Sequence, residues 1–206
     1  MSKLSVFIAE SVSPNDFYIG QTDGFAAKEI LNIQRVRTQY RIALTRPLLA
    51  RAIRDAATGV FSAFHLSCHG DEDGIRLADK TDVDWPELAR MLRPFALRSR
   101  FLVMSSCSGG YVGFSKALQK EGVTFGYIFG STAPSETGVG FTHSCLAWSV
   151  LYNRLVEAKF STKELRRTLD KINALVPGDF VYRRWNGSRY LTYPTFKIGG
   201  PRPRGS

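Results

Sequence analysis

Four short apolar runs set the strongest limit on what this chain can fold into: Leu4–Ala9, Phe61–Ser67, Phe101–Ser105 and Val123–Gly130. Each is bounded by turn residues and followed by a stretch with helical spacing. Alternation of this kind argues for an α/β fold built on a parallel sheet. Tyr40–Leu44 adds a strand, and "YLTYPTFKI" gives a sixth, with Pro194 confining it to a sheet edge because proline cannot donate to a ladder.

Between the strands, a helix is expected from Gly24 to Arg37, after a loop over Glu10–Thr22. "PLLARAIRDAA" starts a second at Pro47, ended by Gly59. "WPELARMLRPF" forms a third, with Asp84 as its N-cap. A short helix spans Ser115–Lys120 and closes at Gly122. The last two run over Phe141–Lys159 and Ser161–Leu175, the second opened by a Ser161/Glu164 capping box.

At 206 residues the chain fits one domain, taken as residues 1–198, with a flexible basic tail over 199–206. The first residues lack a signal-peptide core and cleavage site, and no apolar run approaches the roughly 20 residues of a membrane span. The expectation is a cytoplasmic protein without membrane insertion. Three cysteines in such a chain do not make a disulfide framework. Their spacing suits no zinc knuckle, so no metal site is expected. The net charge of +10 favours acidic partners, much of it sitting late, in "RRWNGSR" and "GGPRPRGS".

Two of the apolar runs stop at residues with chemistry. "FHLSCHGDEDG" places His69 just past its strand, and "FLVMSSCSGG" places Cys107 just past the next. A strand, crossover helix and strand put the two strands parallel and side by side, so both residues fall on the carboxyl edge, where open α/β sheets carry their crevices. Gly70 permits close backbone approach, and Gly109 with Gly110 a tight turn before the next helix. A cysteine near a helix N-terminus and an imidazole is in a setting that favours reactivity. His65 reads as a core residue, Cys68 as packing on the opposite side of the strand, Cys145 as part of an apolar helix face, and His143 as near the site.

At these residues the chain resembles the caspase-like cysteine peptidases, and within them the CHAT group of the caspase-hemoglobinase fold. The resemblance rests on "FHLSCHG", "DGIRLADKTDVDWPELARML", "FLVMSSCSGG" and "FGSTAPSETGVGFTHSCLAWSVLYNRL", in that order. It implies a three-layer sandwich: a six-stranded, mostly parallel sheet with an antiparallel edge strand and helices on both faces. It further implies Cys107 as nucleophile, His69 as general acid/base, and the backbone amides of Gly70 and Cys107 as oxyanion donors, with no third carboxylate required. Ser105, two residues before the nucleophile, and Ser106 fall at the substrate pocket. The loops after strands one and five, with Asp16, Ser131 and Glu136, supply its other walls.

The function expected from this resemblance is a cysteine endopeptidase acting on a protein substrate. Control by a separate regulatory or sensor protein is expected, in a bacterial antiviral defence or cell-death setting. A different class of reading is a non-catalytic basic module for nucleic acid or an acidic protein, with "VYRRWNGSRYLTY" as its best feature. Under the peptidase reading, nucleic acid is met only weakly or indirectly.

Overall fold

The first apolar run becomes β1 (Ser5–Ser11), buried along its whole length. A one-turn helix α1 (Pro14–Tyr18) and α2 (Asp23–Ile33) follow, then β2 (Arg37–Ile42), α3 (Arg46–Thr58) and β3 (Ala63–Gly70). A small ribbon of β4 (Gly74–Arg76) and β5 (Asp82–Asp84) leads into α4 (Trp85–Leu92), β6 (Phe101–Ser105), α5 (Val112–Lys120) and β7 (Tyr127–Ser131). The chain then makes α6 (Phe141–Glu157), α7 (Thr162–Leu175), β8 (Phe180–Trp185) and β9 (Tyr190–Tyr193). These elements come from a computed structural model that describes residues 4–97, 100–134, 139–157 and 161–194. The expected basic tail and Glu136 lie outside the described residues.

The main sheet has the order β2-β1-β3-β6-β7-β8-β9, parallel from β2 to β7 and antiparallel through β8 and β9. Successive residues of its central strands point to opposite faces. Phe7, Phe64, Leu102 and Met104 pack on one side with Leu49 and Ile53 of α3, Leu88 of α4 and Phe114 of α5. Ile8, Ala63 and Val103 pack on the other with Leu31 of α2, Trp148 and Leu151 of α6, and Leu165 and Leu169 of α7. The protein is thus an α/β fold with a mixed, mostly parallel sheet between two helical layers.

Several boundaries differ from the sequence reading, each for a tertiary reason. β2 lies three residues earlier than expected at its start, because its polar segment is placed by a ladder with β1 rather than by its own pattern. β3 runs on to include His69 and Gly70, which pair with Arg76 and Ile75 of β4. The expected loop after β1 holds α1, and the loop after His69 holds the β4–β5 ribbon. The single antiparallel edge strand is instead a β8–β9 hairpin, and Pro194 lies just beyond β9.

Helix α5 begins at Val112, ahead of the expected Ser115. Ser161 caps α7 by accepting from the Glu164 amide at 3.2 Å, but the Glu164 carboxylate turns to Arg167 at 3.0 Å, so the cap is one-sided. Asp84 caps α4 as expected, accepting from the Glu87 amide at 2.7 Å. Among the described residues, no helix is long and apolar enough to cross a membrane.

Candidate active site

The parallel ladders bring the carboxyl ends of β1, β3 and β6 into line, with Ser11 opposite Cys68 and Ser67 opposite Ser105. His69 and Cys107 therefore leave one edge from neighbouring strands. Their backbones meet at Gly70, where an added Cβ would stand 2.9 Å from the Cys107 carbonyl oxygen and 3.2 Å from the Ser106 Cβ. A side chain at residue 70 would push the two loops apart.

His69 has a carboxylate partner that the sequence reading did not assign to it. Ser13 caps α1, its hydroxyl accepting from the Asp16 amide at 3.2 Å and donating to Asp16 Oδ2 at 2.6 Å. The same Oδ2 lies 2.7 Å from His69 Nε2. Burial pushes the Asp16 carboxyl up, but the bonds from Ser13 and His69 and the His69 charge outweigh it, holding the group below its ordinary range. An ionised Asp16 accepts a hydrogen bond from Nε2, so the neutral ring carries its hydrogen there and presents Nδ1 as the free base. Phe141, at the start of α6, sets its ring edge-on to the imidazole at 6.1 Å.

The turn that carries Cys107 is fixed from three sides. The amides of Ser108, Gly109 and Gly110 donate to the carbonyls of Ala133 (3.0 Å), Ser106 (3.1 Å) and Ser131 (2.7 Å). Ser108 takes a left-handed backbone with φ of 55°, a conformation that costs a non-glycine residue about 1 kcal/mol or more. Gly110 packs so tightly on β7 that an added Cβ would lie 2.8 Å from the Gly130 carbonyl oxygen. Its own carbonyl accepts from Arg183 Nε (2.9 Å) and Nη2 (2.6 Å), while Nη1 of the same guanidinium binds Thr192. Burial lowers the Arg183 pKa to about 10. Because α5 starts five residues after Cys107, the helix N-terminus expected beside the thiol is displaced to the far end of this turn.

Beneath the two loops lies an acidic floor. Asp23, fully buried at the start of α2, accepts from Ser67 of β3 and Ser105 of β6, and Trp148 Nε1 of α6 donates to Ser105 at 2.6 Å. Glu10 accepts from the amides of Gly24 (2.8 Å) and Phe25 (3.1 Å) and from Tyr40 (2.5 Å), and its Oε1 lies 3.3 Å from the Ser67 hydroxyl. Burial raises the pKa of both carboxyls, and for Glu10 the Asp23 charge adds to it. The floor ties α2, β1, β2, β3, β6 and α6 together directly under His69 and Cys107.

Of the other expected pocket residues, Ser105 and Ser131 are buried with their hydroxyls engaged, Ser105 as above and Ser131 on the Gly178 carbonyl. Ser106 is also buried, and its hydroxyl has no partner among the described residues. His65 is a core residue, its Nδ1 2.8 Å from the Tyr152 hydroxyl and its pKa lowered by burial to about 3. Burial pushes the Cys68 thiol far up, and burial with the charges of Asp23 and Glu10 pushes Cys145 up to about 11. Both are held as thiols. Cys107 is partly exposed.

Asp23, Glu10, Trp148 and Arg183 escaped the sequence reading. The one available signal is Glu10 itself, a carboxylate that directly follows the apolar residues Val6–Ala9. In sequence Arg183 belongs to a basic cluster, yet Val181, Tyr182 and Arg183 are all buried. Among the described residues no three His, Cys, Asp or Glu side chains cluster as metal ligands. The fold and this edge define an α/β protein with a His–Asp pair beside a braced cysteine turn. No protein-family model matches the chain, and no curated protein matches it.

Proposed function

We propose that the chain is a cysteine endopeptidase of caspase-like, CHAT-type architecture. The observation that carries this reading is the His69–Asp16 pair set against the Cys107 turn, with Gly70 the point of contact between the loops. The sulfur of Cys107 attacks the carbonyl carbon of a peptide bond after giving its proton to His69 Nδ1. The C–N bond breaks as Nδ1 passes that proton to the departing amine. Water then adds to the thioester with His69 as base, releasing the acid and the thiol. Asp16 is a positioning residue that fixes the tautomer for both transfers.

The amides of Ser108, Gly109 and Gly110 donate to the carbonyls of Ala133, Ser106 and Ser131. By the same resemblance the developing oxyanion falls to the amides of Gly70 and Cys107. Each such donor is commonly worth about 3 kcal/mol. The chemistry calls on no metal or cofactor. Activation by a separate regulatory protein, in a cytoplasmic defence or cell-death system, belongs to the same proposal.

The test is labelling by a peptide-like electrophile, read by mass spectrometry in the native protein and in His69→Ala across pH. Selective modification of Cys107, lost with His69, supports the dyad. Equal reactivity of Cys68, Cys107 and Cys145 overturns it. The alternative of a nucleic-acid module loses support from the burial of Tyr182 and Arg183, which were to stack on and track a strand.

A further inference from the structure

Beyond the carboxyl ends of β1 and β2 lies a cavity of about 490 Å³. Val12, Pro14, Phe17, Tyr40, Ile42 and Leu44 give it an almost wholly carbon lining. Three of these side chains are large, apolar and open to solvent: Phe17 is 57% exposed, Ile42 46% and Leu44 43%. Grouped apolar exposure of this kind marks a surface that meets another molecule. Two carboxylates line the wall: Glu10 already accepts from Gly24, Phe25 and Tyr40, and Asp79 Oδ1 accepts from the Thr81 amide at 3.0 Å.

Helix α1 links the cavity to the candidate active site. Asp16 of that helix holds His69, while Pro14 and Phe17, on either side of it, face the cavity. Strand order supplies the direction. In the proposed reaction the acyl half of the substrate is joined to Cys107 after β6, and the departing amine takes its proton from His69 on β3. The line from β6 through β3 continues to β1 and β2, where the cavity lies.

We propose that this cavity is a substrate subsite that takes a large apolar side chain from the segment following the cut. The inference rests on the peptidase reading. Two strand spacings of about 4.8 Å separate β3 from β2, and an extended peptide advances about 3.3 Å per residue. The anchored residue is therefore the third or fourth after the scissile bond. Leucine, isoleucine, methionine or phenylalanine fits the lining, and an acidic residue there is disfavoured because the carbon surface would not replace its water and Glu10 and Asp79 share the wall.

The experiment is digestion of a proteome-derived peptide library by the full chain, with both new termini sequenced. It is repeated with Ile42→Asp and Leu44→Asp, both at half-exposed positions and each used once its thermal melt shows a folded protein. The expected result is enrichment of large apolar residues at the third or fourth position after the cut, with that preference reduced roughly tenfold or more in the variants, the scale of losing one buried apolar side chain. Cleavage without such enrichment, or with enrichment unchanged in both variants, overturns the subsite and leaves the peptidase reading standing. Absence of cleavage overturns the subsite, and together with unselective labelling of Cys107 it overturns the peptidase reading as well.

Discussion

Asp16 matters to His69 in two separable ways, as a hydrogen-bond acceptor and as a charge. Replacing it with alanine leaves the imidazole free to turn and to carry its proton on either nitrogen. We expect Asp16→Ala to slow peptide cleavage about 100-fold, the usual scale for a misplaced catalytic group, with Cys107 still modifiable at high electrophile concentration. His69→Ala removes the proton carrier itself and should cost about 10²–10⁴-fold in the same assay. For stability the sign follows from the lowered Asp16 pKa: its contribution is complete above an unfolded value near ~3.9 and is lost as pH falls through the lower folded value. Thermal melts of the native protein and Asp16→Asn should therefore converge in acid.

The elements around the site are held by buried polar bonds rather than by apolar contact alone. Arg183 of β8 reaches across β7 to the Gly110 carbonyl and so ties the antiparallel hairpin to the cysteine turn. Arg183→Met fills the space but leaves that buried carbonyl without its donor, at a cost of about 1–3 kcal/mol in denaturant unfolding. The same variant should slow Cys107 labelling, because the turn loses the restraint on its Gly110 carbonyl.

Asp23 braces the other side, and its effect on pH dependence runs opposite to that of Asp16. Its folded pKa is raised by burial, so its favourable contribution is complete below the unfolded value and is lost as pH rises through the folded one. The stability of the native protein relative to Asp23→Asn should therefore grow as the pH is lowered, measured as paired melts between about pH 8 and pH 4.

At the scale of the molecule, two cores share one sheet. Trp85 belongs to the layer of α3, α4 and α5, and Trp148 to that of α2, α6 and α7. Because every central strand contributes to both layers, neither core can be exposed without breaking the ladders that support the other. Variants in which Trp85 or Trp148 is the sole tryptophan should give coincident urea transitions by fluorescence, matching the loss of helix by circular dichroism. A separation of the two curves would show that one helical layer detaches by itself. The positive charge of the chain acts at this scale too, and any binding to an oligonucleotide should fall steeply with salt and persist in Cys107→Ala.

Local pattern alone determined much of this architecture. β6 was legible to the residue because Phe101–Ser105 is an uninterrupted apolar run, and α3 and α4 because proline, the caps and the apolar spacing agree. The parallel crossover then placed His69 and Cys107 on one edge without any knowledge of contacts. What only the tertiary structure decided are the features that depend on residues distant in sequence. β2 and β8 carry polar or basic residues whose strand state comes from ladders with β1 and β7. Arg183 is buried because Gly110 supplies an acceptor at that depth. Asp16 serves His69, and Asp23 serves Ser67 and Ser105, because folding converts separations of tens of residues into hydrogen bonds, which neither composition nor periodicity encodes.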